Sequence, residues 1–258
     1  MNGLARVQGV RRRTRAALRA LRGAGPASSP SAPSPHELAI RRDGTDFESM
    51  RRLLAFTLGP EDSCIDIGAH RGAVLAEMVR VAPGGRHLAF EPIPELAGYL
   101  REQFPGVDVH EAAVSDAAGR TRFAHVRGSA EGWSGLRFRP LPTGEEADVE
   151  DIEVEVEVLD QVLDPELRPA VIKIDVEGAE EGVLRGAMNT LRRHRPTLIF
   201  EHGAGSAETY GTTPAGLHTL LHGLGYRIFD LDGHGPYSVE EFERTFYAAE
   251  RVNFVAHP

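Results

Sequence analysis

Among its 258 residues the chain has one lysine, one cysteine and one tryptophan. The single cysteine, Cys64, rules out an intrachain disulfide and a cysteine-built metal centre. A reducing compartment suits such a chain, and a cytoplasmic location is expected. No apolar run approaches the ~20 residues that a membrane-crossing helix needs. Hydrophobic content of 41% and charged content of 26% are ordinary for a globular protein with a buried core. The net charge is −9. Residues 1–25 carry seven arginines and no acid, so the rest of the chain is near −16. A body that acidic argues against nucleic acid as the main substrate. The one lysine, Lys173, stands out in a chain that otherwise uses arginine.

Residues 1–35 read as a leader separate from the domain at 36–258. Residues 1–22 place Leu4, Val7, Leu18 and Leu21 roughly on one side of a basic helix, with no apolar core of a secretory signal. Either a solvated arm or a membrane-surface contact fits that pattern. Residues 23–35, GAGPASSPSAPSP, are a Pro/Ser/Ala linker. Beyond it, strands alternate with helices. Helices are expected at Phe47–Leu58, 71–81, Glu95–Phe104, from Gly178 to about Arg193, Thr213–Leu224 and Val239–Ala248. Strands are expected at 63–67, 87–91, Val107–Val114, Thr121–Val126, Ile152–Val158, Ala170–Asp175, Thr197–Phe200, Tyr226–Leu231 and Val252–Ala256. In Ile152–Val158 the glutamates alternate with apolar residues, which reads as a strand with one wet face. The long segment Gly128–Asp148 reads as a loop that helps to shape an acceptor pocket. The alternation as a whole implies a doubly wound α/β sheet.

The densest signal is Cys64–Pro92: an apolar strand, a turn through Gly68 and Gly72, a helix broken at Pro83-Gly84-Gly85, and a second strand ending at Glu91. This is the layout of a nucleotide-binding βαβ unit. A dinucleotide site uses G-x-G-x-x-G so that bare N–H groups approach a pyrophosphate. Here the pattern is Asp66, Gly68, Gly72, and a carboxylate at the loop entrance repels a pyrophosphate. It suits a cofactor with cationic groups and no phosphate, such as S-adenosylmethionine. Glu91 would then accept the ribose hydroxyls.

Ligands of open α/β sheets lie beyond the carboxyl ends of the strands. Those ends carry Asp66 and Gly68, then Glu91, then Ser115 and Asp116, then Asp175 and Glu177, then Glu201 and His202. One acid at a strand end carries little weight. Five strands delivering acids to one rim point to a site.

The order CIDIGAH-x-G, LAFEP, AAVSD, VEVLD, VIKIDVEGAE with VLRGA, and LIFEHG resembles the FkbM family of S-adenosylmethionine-dependent methyltransferases, from about Asp62 to Val255. KIDVEGAE, which contains Lys173, is the most distinctive piece. The resemblance implies a class I methyltransferase fold: a Rossmann-like doubly wound sheet, mostly parallel, of seven strands with the last antiparallel. It also implies O-methylation of a hydroxyl on a sugar, a polyketide or a related small molecule. One position departs. The family usually has asparagine where this chain has His70, which puts the local loop shape in question.

Methyl transfer needs in-line alignment, exclusion of water and a group to take the hydroxyl proton. His202 is the first candidate base, at a strand end beside Glu201; Asp175 and Glu177 are next, either as base or as anchors for the cofactor's methionine end. The cofactor residues are then Asp66, Gly68, His70, Gly72, Glu91, Ser115, Asp116, Asp175 and Glu177. Asp175, Glu201 and His202 also offer oxygen and imidazole ligands to a divalent cation, the less favoured route because no spacing fixes it. The rivals are an NAD-binding oxidoreductase, disfavoured by Asp66, and a cofactor-binding module without catalysis.

Overall fold

A computed structural model describes residues 35–138, 146 and 148–258. The leader at 1–34 and part of the expected acceptor loop, 139–145 and 147, lie outside the described residues. The chain divides into Met1–Asp43 and Gly44–Pro258, and the architecture below is that of the second unit.

Helix α1 (Pro35–Thr57) leads into it. Met50, Leu54 and Leu58 recur at helical spacing and pack with Cys64, Met78, Val171 and Ile199. Strand β1 (Ser63–Ile67) follows, then α2 (Ala73–Val81), β2 (Leu88–Phe90), α3 (Pro94–Gln103) and β3 (Asp108–His110). Proline at the first turn of α3 supplies the fixed φ a helix start requires. After an excursion described below come β7 (Pro169–Ile174), α5 (Glu180–Gly186), α6 (Met188–His194) and β8 (Thr197–Glu201). The chain ends with α7 (Pro214–Gly223), β9 (Arg227–Asp230), α8 (Val239–Tyr247) and β10 (Asn253–His257). Ser238 and Glu241 form a reciprocal capping box at the start of α8.

The main sheet has seven strands in the order β3-β2-β1-β7-β8-β10-β9. All pairings are parallel except those of β10, which runs antiparallel between β8 and β9. This is the mostly parallel sheet with a reversed last strand that the family resemblance implied. The larger core cluster joins Ile65, Ile67, Phe90, Ile172, Phe200 and Phe254 to the helices on one face. Cys64 and Val171, at alternate positions of the same strands, face the other way.

Three expected elements differ. The helix expected at Phe47–Leu58 is α1, which begins twelve residues earlier, at Pro35. The run Val107–Val114 is not one strand. Its first part is β3, an edge strand that is partly exposed. Its second part, β4 (Ala112–Val114), is fully buried and belongs to a separate sheet. That sheet has the order β4-β6-β5, with β5 (Gly119–Val126) and β6 (Val149–Glu157) as a long antiparallel pair. The passage from one sheet to the other at Glu111 coincides with a change of pattern, from Val-Asp-Val-His alternation to solid Ala-Ala-Val. The helix expected from Gly178 to about Arg193 is likewise two, α5 and α6, separated at Ala187. A short helix α4 (Leu159–Val162) follows β6. The β6 glutamates form the wet face as expected: Glu153 and Glu155 are exposed and pair with Arg120. Between β5 and β6 a 3-10 turn spans Gly128–Trp133. Among the described residues no helix is long and apolar enough to cross a membrane.

Candidate active site

Register brings the polar residues of β1 and β7 together. Asp66 lies opposite Lys173, and Ile67 opposite Ile174. Asp66 is 1% exposed and Lys173 6% exposed. The Lys173 Nζ is 3.4 Å from Asp66, 3.3 Å from Asp175, and donates a hydrogen bond of 2.8 Å to the Gly68 carbonyl. Burial pushes the ammonium pKa down, but the two carboxylates outweigh it and hold it above the ordinary lysine value. Burial pushes the Asp66 carboxyl up, against the pull of Lys173. Lys173 thus ties together the end of β1, the loop after it and the end of β7.

Gly68 has φ 76°, and a Cβ there would stand 1.8 Å from the Asp175 carbonyl oxygen. Only glycine lets the two strand ends approach so closely. The Gly68 and Ala69 amides donate to the Phe90 carbonyl, and the Asp175 amide donates to that of Ile67. Gly72 caps α2 and packs against Leu100 and Phe104, behind the loop. His70 has φ 49°, a conformation that Asn, Asp and His tolerate better than most residues. Histidine therefore fits the same turn as the asparagine that the family resemblance implied there.

Glu91, 4% exposed, closes β2. One carboxylate oxygen accepts the His70 amide at 2.8 Å and the other the Ile93 amide at 2.9 Å. Burial raises its pKa to about 7, against the lowering effect of those two amides.

These loops open onto a cleft of about 200 Å³. Ile93, Ala113, Phe123 and Leu136 give it an apolar wall, part of it built by the second sheet. Among the described residues its titratable lining is His70, Glu91, Glu131, Asp175 and Glu177, with no lysine or arginine. Glu131 comes from the 3-10 turn and was not singled out by sequence. Its carboxylate lies 3.3 Å from the His70 ring and 2.8 Å from Arg71, so the turn is tied to the β1 loop.

Asp175 follows β7. Burial pushes its carboxyl up, but Lys173 and a hydrogen bond with Glu201 hold it below the usual carboxylate range. Glu177 has φ 57° in the next turn, a strained conformation for a side chain of that size. Asp175, Glu177 and Glu201 each bring one carboxylate oxygen within 4.8 Å of the others.

Not every expected residue meets here. Ser115 and Asp116 follow β4 and line a neighbouring recess with Glu181, Arg185, Tyr210 and Thr212; Leu136 borders both spaces. Asp66 and Gly72 lie behind the cleft rather than in its wall. His202 is 0% exposed, is absent from the lining, stacks on Phe242 and lies tilted against Phe246 of α8. It is also no member of the carboxylate group formed by its neighbour Glu201.

Comparison with known proteins matches residues 66–228, more than half of the chain, to the methyltransferase FkbM domain. No curated protein sequence matches. Among solved structures, a methyltransferase FkbM from Methylobacillus flagellatus KT is 19% identical with a TM-score of 0.48, over 78% of this chain and 44% of that one. A TehB-like SAM-dependent methyltransferase from Corynebacterium glutamicum is 13% identical with a TM-score of 0.44, over 86% and 95% of the two chains. The plantazolicin methyltransferase BpumL, solved in complex with SAH, is also 13% identical with a TM-score of 0.44, over 88% and 90%. With its sheet order, its βαβ loop ending at Glu91 and the matched span beginning at Asp66, the chain belongs to the FkbM family of S-adenosylmethionine-dependent methyltransferases.

Proposed function

We propose that the protein binds S-adenosylmethionine in the acidic cleft and transfers its methyl group to a hydroxyl oxygen of a small molecule. The observation that carries this reading is the lining: four carboxylates with Glu91 at the end of β2 and, among the described residues, no lysine or arginine. Such a lining attracts a cationic cofactor and repels the pyrophosphate of NAD. It therefore fits the family's cofactor and disfavours the oxidoreductase alternative.

When bound, S-adenosylmethionine supplies an activated methyl group on a sulfonium leaving group. The chain's residues then have separable tasks. Glu91 accepts the ribose hydroxyls, its carboxylate already oriented by the His70 and Ile93 amides. Ile93, Ala113, Phe123 and Leu136 offer an apolar face to the adenine. Gly68 and His70 shape the floor. Asp175, held ionised by Lys173, suits the α-ammonium of the methionine end. Glu177 lines the cleft beside it and is placed to take the acceptor's proton, with Glu201 behind. His202 is fully buried and lies outside the cleft lining, so we move the base from His202 to Glu177. Ser115 and Asp116 open onto the neighbouring recess, and we assign them to the acceptor side rather than to the cofactor.

The test is calorimetric binding of S-adenosylmethionine, then methyl transfer to a panel of sugars and hydroxylated polyketides. Glu177→Gln should lower turnover by about 10²–10⁴-fold at nearly constant cofactor affinity. Binding of NAD but not of S-adenosylmethionine would refute the reading. Binding without formation of S-adenosylhomocysteine would leave a cofactor-binding module. Turnover abolished by a chelator and restored by divalent metal would reassign Asp175, Glu177 and Glu201 as ligands.

A further inference from the structure

His202 and Glu180 are two titratable groups buried side by side that the proposed chemistry does not use. Glu180 is 1% exposed, at the start of α5. One of its carboxylate oxygens accepts the Gly178 amide at 2.9 Å and the Val176 amide at 3.3 Å. It therefore clasps the turn that carries Asp175, Val176 and Glu177 into the cleft. That turn needs a clasp, because Glu177 has φ 57° and Gly178 φ 105°.

The other oxygen of Glu180 is buried with no hydrogen-bond partner. So are both ring nitrogens of His202. The His202 Nδ1 is 3.9 Å from that unpartnered oxygen, beyond hydrogen-bond length but closed by a shift of about 1 Å. The Phe242 and Phe246 rings hold the imidazole in place, and the His202 amide donates to the Val252 carbonyl. A buried donor and a buried acceptor that both lack partners satisfy each other or stay unpaired. A second contact stitches the same two segments: a Cβ on Gly178 would stand 2.5 Å from the Ser206 backbone.

We infer that His202 is a positioning residue: its Nδ1–H faces Glu180, orients the carboxylate that clasps the Val176–Gly178 turn, and so sets where Asp175 and Glu177 enter the cleft. The consequence for binding rests on the proposed cofactor reading. The pair itself does not.

Asparagine offers an amide N–H near the position of Nδ1, glutamine offers one near Nε2, and leucine offers none. In the full chain, His202→Leu and His202→Gln should weaken S-adenosylmethionine binding by about tenfold and speed hydrogen exchange of the Val176 and Gly178 amides by a similar factor. His202→Asn should restore both to near the parent. In the parent, the imidazole ¹⁵N spectrum, assigned through the backbone, should show a protonated Nδ1 on His202. An Nε2–H tautomer alone would overturn the inference, whether or not any variant folds. Equal amide protection in the Leu and Asn variants would overturn it too, since packing alone would then suffice. A parent that shows the Nδ1–H signature but binds no S-adenosylmethionine would defeat the cofactor reading and leave the pair standing.

Discussion

The carboxyl of Glu91 is placed to make both stability and cofactor affinity depend on pH near neutrality. Its pKa is raised to about 7 by burial, against roughly 4.3 for an unperturbed glutamate. The folded chain therefore holds a proton that the unfolded chain has released. For a raised pKa, the stabilising contribution is fully present below about 4.3 and is lost as pH rises through 7. The slope is about −1.4 kcal/mol per pH unit between those values, and the total is on the order of 4 kcal/mol. Affinity runs the other way. If only the ionised carboxylate accepts the two ribose hydroxyls, about a tenth of the protein is competent at pH 6 and about nine tenths at pH 8. The dissociation constant for S-adenosylmethionine should then tighten by nearly tenfold over that interval. Glu91→Gln removes the titration, though its amide cannot accept both the His70 and Ile93 amides, so its baseline stability also falls. The comparison is consequently one of slopes. Calorimetric titration and urea unfolding of both proteins from pH 5 to 8 supply them, and the cofactor's own ionisation is common to both and cancels. Parallel slopes in parent and variant, for affinity or for stability, would refute the assignment.

Lys173→Met should cost about 3–5 kcal/mol by leaving Asp66 buried without its counter-charge, a fall in Tm of roughly 6–20 °C. Adding Asp66→Asn should recover part of it in the same melting experiment. Gly68→Ala should leave little folded protein by circular dichroism, since the new methyl would overlap the Asp175 carbonyl. Deleting residues 1–34 should leave S-adenosylmethionine affinity within about twofold by calorimetry, because a Pro/Ser linker precedes the domain. A larger loss would show that the leader takes part in the site.

What the sequence made legible follows from periodicity. The β1–α2–β2 unit could be read because its strands are short apolar runs punctuated by glycine and closed by an acid. The glutamates of β6 were recognisable as a wet face from strict alternation. The second sheet was hidden because Val107–Val114 is apolar enough to pass for one strand, although its pattern changes at Glu111. His202 shows a subtler failure. Consecutive residues of an extended segment point to opposite faces, so Glu201 and His202 meet different surroundings. Glu201 joins Asp175, while His202 turns to the aromatic residues of α8. That alternation holds for any extended segment, and the adjacency of two attractive residues obscured it. Glu131 carried no local signal. It reaches the cleft only because the β5–β6 excursion folds back over the β1 loop, and such non-local contact leaves no trace in spacing.

The burial of Lys173 also has a consequence for handling the protein. It is the chain's one ε-amine, and it is enclosed by Asp66, Asp175 and the Gly68 carbonyl. An amine-reactive ester added to the native protein meets no accessible lysine anywhere on its surface. Acylation at Lys173 requires the β1–β7 seam to come apart. The rate of that modification, followed by mass spectrometry of the peptide that carries Lys173 and so apart from acylation of the α-amine, is a built-in reporter of how often the centre of the sheet opens.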